Sequence, residues 1–369
     1  MTSYLFNAVL VTNRIDISSF VLLLGSIRGF SLALAELISK YSTLPPFSVA
    51  INYIREALEE NENSGWEDTI SNEKIDLIKR EGIILRLKNV SYTYPGSSIP
   101  TLENVNLTIK KGEKLALLGL NGAGKTTAIK MMLGLVKPEG GEVKVLGTDA
   151  RHLSAQKKQE IGVVLSESGF SSYLNISDIE HILMKMYPEF DRDYFKQKCK
   201  EFHLPEGKKI AEFSTGMKVK LKVLIAITHK AKLLILDEPT TGLDVEAREA
   251  ILDILREYMT KQEPCSILIT SHISSDLENL CDDIYLIHDG KIILHEDTDV
   301  IVEQYGILKV TEEQYEYLDK TYVLKSRKKT YGYACFTGCK EFYRENYPEI
   351  VIENGGIDEL IMMMTGGDE

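Results

Sequence analysis

Cysteine, tryptophan and positive charge are all scarce in this chain. Its 369 residues include five cysteines and one tryptophan, and 43 Lys and Arg stand against 55 Asp and Glu. A formal net charge of −12 leaves no surplus of cations to displace counterions from a phosphodiester backbone, so nucleic acid is excluded as a bulk electrostatic partner. The cysteines at 199, 265, 281, 335 and 339 are odd in number and scattered. They read as reduced thiols of a cytosolic protein rather than as a disulfide framework. Cys335 and Cys339 have the spacing of a metal pair, but with no second pair or nearby histidine they read better as core or turn residues. Of seven histidines, only His272 stands in a telling place, and the other six are expected at the surface or at caps. A cleavable leader pattern is missing too, since the start lacks a basic region and no small-residue cleavage site follows the apolar stretch.

Apolar residues, by contrast, make up 44% of the chain, ample for one large core, and the length suggests about two or three domains. The most informative stretch is Gly119-Leu120-Asn121-Gly122-Ala123-Gly124-Lys125-Thr126, followed by Thr127. It fits G-x-x-x-x-G-K-[ST], with an apolar strand (Leu115–Leu118) running in and a helical pattern (Ala128–Leu133) running out, the context a phosphate-binding loop requires. Its glycines let backbone N–H groups turn toward β- and γ-phosphates at the positive end of the following helix. Lys125 would add a point charge, and the Thr126 hydroxyl a magnesium ligand. Downstream, the buried-strand run Lys232–Leu236 ends in Asp237 and Glu238. Asp237 would hold the metal through water, and Glu238 would polarise the water that attacks the γ-phosphate. Ser214-Thr215-Gly216-Met217 opens a helical run and on its own reads as a helix N-cap.

Taken in this order, with Asp244 in Gly242-Leu243-Asp244 and His272 after the strand Ser266–Thr270, these residues resemble the ATP-binding cassette family of ABC transporters. The resemblance covers roughly residues 84–300 and implies an α/β fold: a P-loop cassette with a mixed sheet core and a helical subdomain. It implies ATP and Mg2+ as ligands, with Tyr94 stacked on adenine and residues 119–127 around the phosphates. Thr126 and Asp237 would hold the metal, with Glu238 and His272 catalytic. Ser214, Thr215, Gly216 and Met217 take the place of the family signature, and Asp244 that of its D-loop. Two cassettes face each other in this family, so a second cassette, identical or not, is the implied partner. Each signature would then act on the ATP held by the other. One position departs: Ser166-Glu167 stands where the family usually has a glutamine that touches magnesium and relays to the membrane partner.

Residues 1–60 are expected to be a partial transmembrane domain, 61–82 a linker, 83–300 the ATPase domain and 301–369 a small α+β accessory domain. Residues 17–39 would form a helix of about 34 Å, either a membrane span carrying Arg28 and Glu36 or a buried amphipathic helix. This region is similar to the last transmembrane helix of exporters fused to their cassette. The sequence beyond the phosphate loop is instead similar to stand-alone ATPases of the ABC-2 type, which serve antibiotic and peptide export. The two styles meet at Gly119–Thr127, the expected seam of the chain. The strand from Gly82 is expected to start the cassette's edge, and Thr311–Gln314 to open a short helix as a capping box. The function implied is ATP hydrolysis powering an exporter, at the cytoplasmic face of the cell membrane with a permease subunit. The alternatives are a soluble non-transport cassette or one that binds ATP without turnover. The first is disfavoured by a single phosphate loop and by the lack of long heptads between Lys125 and Asp237.

Overall fold

The computed structural model describes residues 82–166, 171, 173–261, 264–271, 276–278 and 280–366. The expected transmembrane segment at 1–60, the linker up to residue 81, Glu167 and His272 lie outside the described residues. Among the described residues, no helix is long and apolar enough to cross a membrane.

The chain enters through β1 (Ile83–Tyr92) and β2 (Leu102–Lys110), an antiparallel pair, and continues into β3 (Lys114–Leu118) and α1 (Lys125–Met132). Strands β4 (Gly140–Val145) and β5 (Thr148–Asp149) complete a four-stranded antiparallel sheet of order β2-β1-β4-β5. The expected edge strand β1 is therefore interior, flanked by β2 and β4. Its burial shows why: Leu85, Leu87 and Val90 are each at most 1% exposed.

After the short α2 (Ala155–Lys158) comes β6 (Ile161–Val164), then three helices, α3 (Ile176–Met186), α4 (Arg192–Glu201) and α5 (Thr215–Ile227). The chain returns through β7 (Leu233–Asp237), α6 (Val245–Lys261), β8 (Ser266–Ser271), β9 (Asp283–His288) and β10 (Lys291–Asp297). These strands form a six-stranded sheet of order β10-β9-β3-β8-β7-β6, parallel except for its antiparallel edge β10. Side chains alternate across a strand, so a sheet covered on both faces reads as a continuous apolar run. Leu234 and Leu236 of β7 enter the core against α3 to α6, whereas Leu233 and Ile235 enter the core shared with α1 and the antiparallel sheet. The mixed sheets and helical segment agree with the fold class read from the sequence.

The rest is α7 (Thr298–Gln304), β11 (Gly306–Val310), α8 (Glu312–Tyr317), β12 (Val323–Lys329), β13 (Gly332–Thr337), α9 (Lys340–Asn346), β14 (Val351–Asn354) and α10 (Ile357–Thr365). The strands form a third sheet, β12-β13-β11-β14. Thr311 and Gln314 make the reciprocal capping box at the start of α8. A boundary at residue 301 cuts through α7, and Ile301 is fully buried in the main core. One face of the third sheet (Ile307, Ala334, Phe336) joins that same core, while Leu308, Val310 and Cys335 face a small core of their own.

Candidate active site

The phosphate loop, Asp237, Thr270 and Ser166 meet because β3, β8, β7 and β6 are neighbours and parallel. All four therefore end on the same side of the sheet, where open α/β sheets place their ligands. At the end of β3 the loop turns into α1 through Gly124, which caps the helix at φ 108°. A Cβ there would meet the Leu102 side chain at 2.7 Å and the Thr101 carbonyl at 2.9 Å, so only glycine fits. Lys125 is 5% exposed and lies back along the loop, its Nζ donating to the carbonyls of Gly119 (2.7 Å) and Leu120 (3.1 Å). Burial pushes its pKa down, and the nearby carboxylates of Glu238 and Asp237 oppose that shift. The Glu238 carboxylate is 3.7 Å from the Lys125 ammonium.

Asp237, 1% exposed, collects three hydroxyls. Thr126 donates to its Oδ2 at 3.1 Å, Ser166 donates to the same oxygen at 2.9 Å, and Thr270 donates to Oδ1 at 2.9 Å. Thr270 lies directly opposite Asp237 in the β7–β8 register, and its hydroxyl and carbonyl both accept from the Glu238 N–H, at 3.0 and 3.1 Å. Glu238 follows in the left-handed region, at φ 48°. Its Oε2 accepts from Thr241 Oγ1 at 3.0 Å.

A cavity of about 320 Å³ is lined by Tyr94, Thr101, Asn121, Gly122, Gly124, Lys125, Thr126, Thr127 and Glu238. Tyr94 stands on its rim, 40% exposed, with its phenol oxygen 3.2 Å from Thr127 Oγ1. Ser214, Thr215, Gly216 and Met217 lie in a different cleft of about 400 Å³, with Gly242, Leu243 and Asp244. Ser214 caps α5 by accepting from the Met217 N–H at 3.2 Å, and Asp244 caps α6 by accepting from Ala247 at 2.8 Å. The phosphate-loop and signature clefts share no lining residue.

Sequence reasoning missed three participants. Thr270 could have been found from the hydroxyl residues ending the apolar run Ser266–Ser271, but only strand order sets it beside Asp237. Asp276, fully buried, accepts from Thr240 Oγ1 at 2.6 Å and pairs with Arg248 on α6, tying together the segments that follow Glu238 and Asp244. Lys222 on α5 donates to the Leu165 carbonyl at 3.1 Å. The expectation of surface or cap histidines fails at His229, which is 3% exposed and stacked on Tyr187 with centroids 4.1 Å apart. It follows the apolar end of α5 into the core, and its ring nitrogens face the carbonyls of Ile225 and Ile161. All five thiols are free; those at 199, 265, 281 and 335 are buried, and Cys339 is partly exposed. Among the described residues, no cluster of three or more His, Cys, Asp or Glu could hold a metal ion by itself.

This geometry has known counterparts. The model of the ABC transporter family matches residues 102–241, a stretch that runs through the expected seam at 119–127. The chain is 31% identical over 222 residues to the ABC transporter ATP-binding protein YtrB of Bacillus subtilis, covering 60% of this chain and 75% of that one. It is 33% identical over 211 residues to the bacitracin transport ATP-binding protein BcrA of Bacillus licheniformis, covering 56% and 68%. A solved ATP-binding subunit of an ABC transporter superposes with a TM-score of 0.53 at 28% identity, covering 59% of this chain and 91% of that one. This chain belongs to the ABC transporter family, as an ATP-binding and ATP-hydrolysing subunit.

Proposed function

We propose that the chain is the ATPase of an exporter, closing on ATP as a pair of cassettes and driving a membrane permease from the cytoplasmic face. The observation that carries the catalytic part is the convergence of Lys125, Thr126, Asp237 and Glu238 at the ends of two parallel strands, β3 and β7, which flank β8. In this reading residues 119–127 wrap the phosphates with backbone N–H groups, Lys125 leaves its loop carbonyls for the β- and γ-phosphates, and Tyr94 takes the adenine face. Glu238 polarises the attacking water, held in place by its Thr270 and Thr241 bonds. His272 is assigned to the γ-phosphate from its place in the sequence alone.

The donor set suits Mg2+: a hydroxyl, a buried carboxylate and a second hydroxyl, all hard oxygens, at Thr126, Asp237 and Ser166. When bound, the ion would neutralise charge on the phosphate oxygens. Ser166 stands in for the family glutamine and supplies a shorter oxygen donor.

Action across a dimer is supported by the separation of the two clefts and by Gly216. A Cβ on Gly216 would make only ordinary contacts, at 3.5 Å with Ala247 and 3.9 Å with Leu243. The chain's own packing therefore does not demand glycine there, whereas close approach of an outside phosphate would. An export role in antibiotic or peptide traffic is supported by the similarity to BcrA, whose name assigns it bacitracin transport. On this reading residues 301–369 stabilise the cassette, and residues 1–60 remain the proposed membrane element.

The test is Glu238→Gln, which should keep nucleotide binding and slow turnover at least about a hundredfold, the scale of general-base loss. Lys125→Ala should lose nucleotide binding. Near-normal turnover in Glu238→Gln would remove Glu238 from its role.

A further inference from the structure

We infer that Lys222 is a positioning residue for ATP hydrolysis, fixing the Leu165–Ser166 turn from α5 and so setting Ser166 against Asp237. The inference rests on the reading that Ser166 and Asp237 face the metal.

Ser166 reaches Asp237 at 2.9 Å through a one-carbon side chain, so its position is set by its own backbone. A retreat of about 0.7 Å would take that contact past the limit of a hydrogen bond. Packing holds the turn from one side only: the Leu165 side chain rests against the core shared with α1 and the antiparallel sheet, while Leu165 and Ser166 also line a cavity of about 360 Å³ together with Lys218, Lys222, Asp237 and Glu238. On the cavity side the turn lacks the close contacts that hold a packed segment, so polar ties there help set where Ser166 sits. The Lys222 ammonium, donating to the Leu165 carbonyl at 3.1 Å, is such a tie from the opposite wall.

A lysine is a costly way to fill this place. Lys222 is half-buried on a helix whose neighbouring positions 221, 223 and 224 are apolar and fully buried, and burial pushes its pKa down. A leucine would fill the volume without that penalty, but it could not bond a carbonyl. Lys222 also sits two helical turns beyond Ser214, the cap of the same helix. The helix proposed to touch the partner's nucleotide is thus bonded along its shaft to the turn that serves this chain's own metal site.

The experiment measures how Mg2+ tightens binding of a fluorescent, non-hydrolysable ATP analogue, beside steady-state kcat. It compares the full chain with Lys222→Met, Lys222→Arg, Ser166→Ala and the Met/Ala double variant. Lys222→Met should raise the half-effective Mg2+ concentration about tenfold, the scale of one hydrogen bond from a charged group. Binding in EDTA should be unchanged. Lys222→Arg should restore most of the effect, and the double variant should be no worse than Ser166→Ala. A wild-type Mg2+ curve in Lys222→Met beside a shifted one in Ser166→Ala would overturn the role of Lys222, as would additive effects in the double variant. A wild-type curve in Ser166→Ala would instead sink the metal-site reading on which it rests. If Lys222→Met does not fold, Lys222→Gln, which keeps a polar tip too short to span the gap, is read in the same way.

Discussion

Asp237 shows how much depends on single hydroxyls. It is buried with three of them around one carboxylate, and Thr270 serves both Asp237 and the Glu238 N–H. Thr270→Val keeps the shape and removes the hydroxyl, leaving a buried carboxylate oxygen short of a donor. Urea denaturation should register a loss of about 1–3 kcal/mol, and turnover should fall because Glu238 loses one of its anchors. His229 gives a pH prediction. Burial holds its pKa below the free value of 6.5, outweighing the two carbonyls that favour the cation. Below about pH 6.5 the unfolded chain takes up this proton while the folded chain resists it, so stability falls as pH drops through that window. His229→Gln should flatten the acid side of a Tm-against-pH curve between pH 6.5 and 5, and an unchanged slope would count against it. The phosphate loop, Asp237 and Glu238 were legible in the sequence because their spacing is local and their chemistry specific. Thr270, Lys222 and Asp276 were not, since each acts through a strand register or helix contact that joins distant stretches.

In residues 301–369 the start of α8 was legible in the sequence, and the attachment to the main core was not. Thr311 and Gln314 open α8 with the capping box that their spacing predicted, whereas a boundary at residue 301 would cut through α7. Periodicity identifies an apolar face but is silent about what covers it. Here Phe336, Ile357 and Leu360 enter the cassette core beside Ile301 and Tyr305. Phe336→Ala should therefore cost about 3–5 kcal/mol and lower the melting temperature of the whole unit in one transition. Calorimetry showing an unmoved main transition with a separate early one would mean that the third sheet melts alone. The same limit explains β1, whose apolar residues predicted a strand without revealing a partner on each side.

The molecule as a whole is expected to work only in pairs, and mixing variants tests this. Lys125→Ala and Gly216→Asp should each be inactive alone, but a mixed dimer keeps one site with an intact phosphate loop and an intact facing signature. Random pairing should restore about a quarter of the sites. No recovery, with dimerisation verified by light scattering, would argue against action across the interface. The backbone at Glu238 has a further consequence. A glutamate at φ 48° is held where L-residues with a Cβ are disfavoured by about 1–2 kcal/mol. Asparagine tolerates that region better, so Glu238→Asn should raise the melting temperature while stopping turnover. A laboratory lineage chosen only for surviving heat would then drift toward mute ATPases, and the glutamate would persist only where cells keep asking the pump to run.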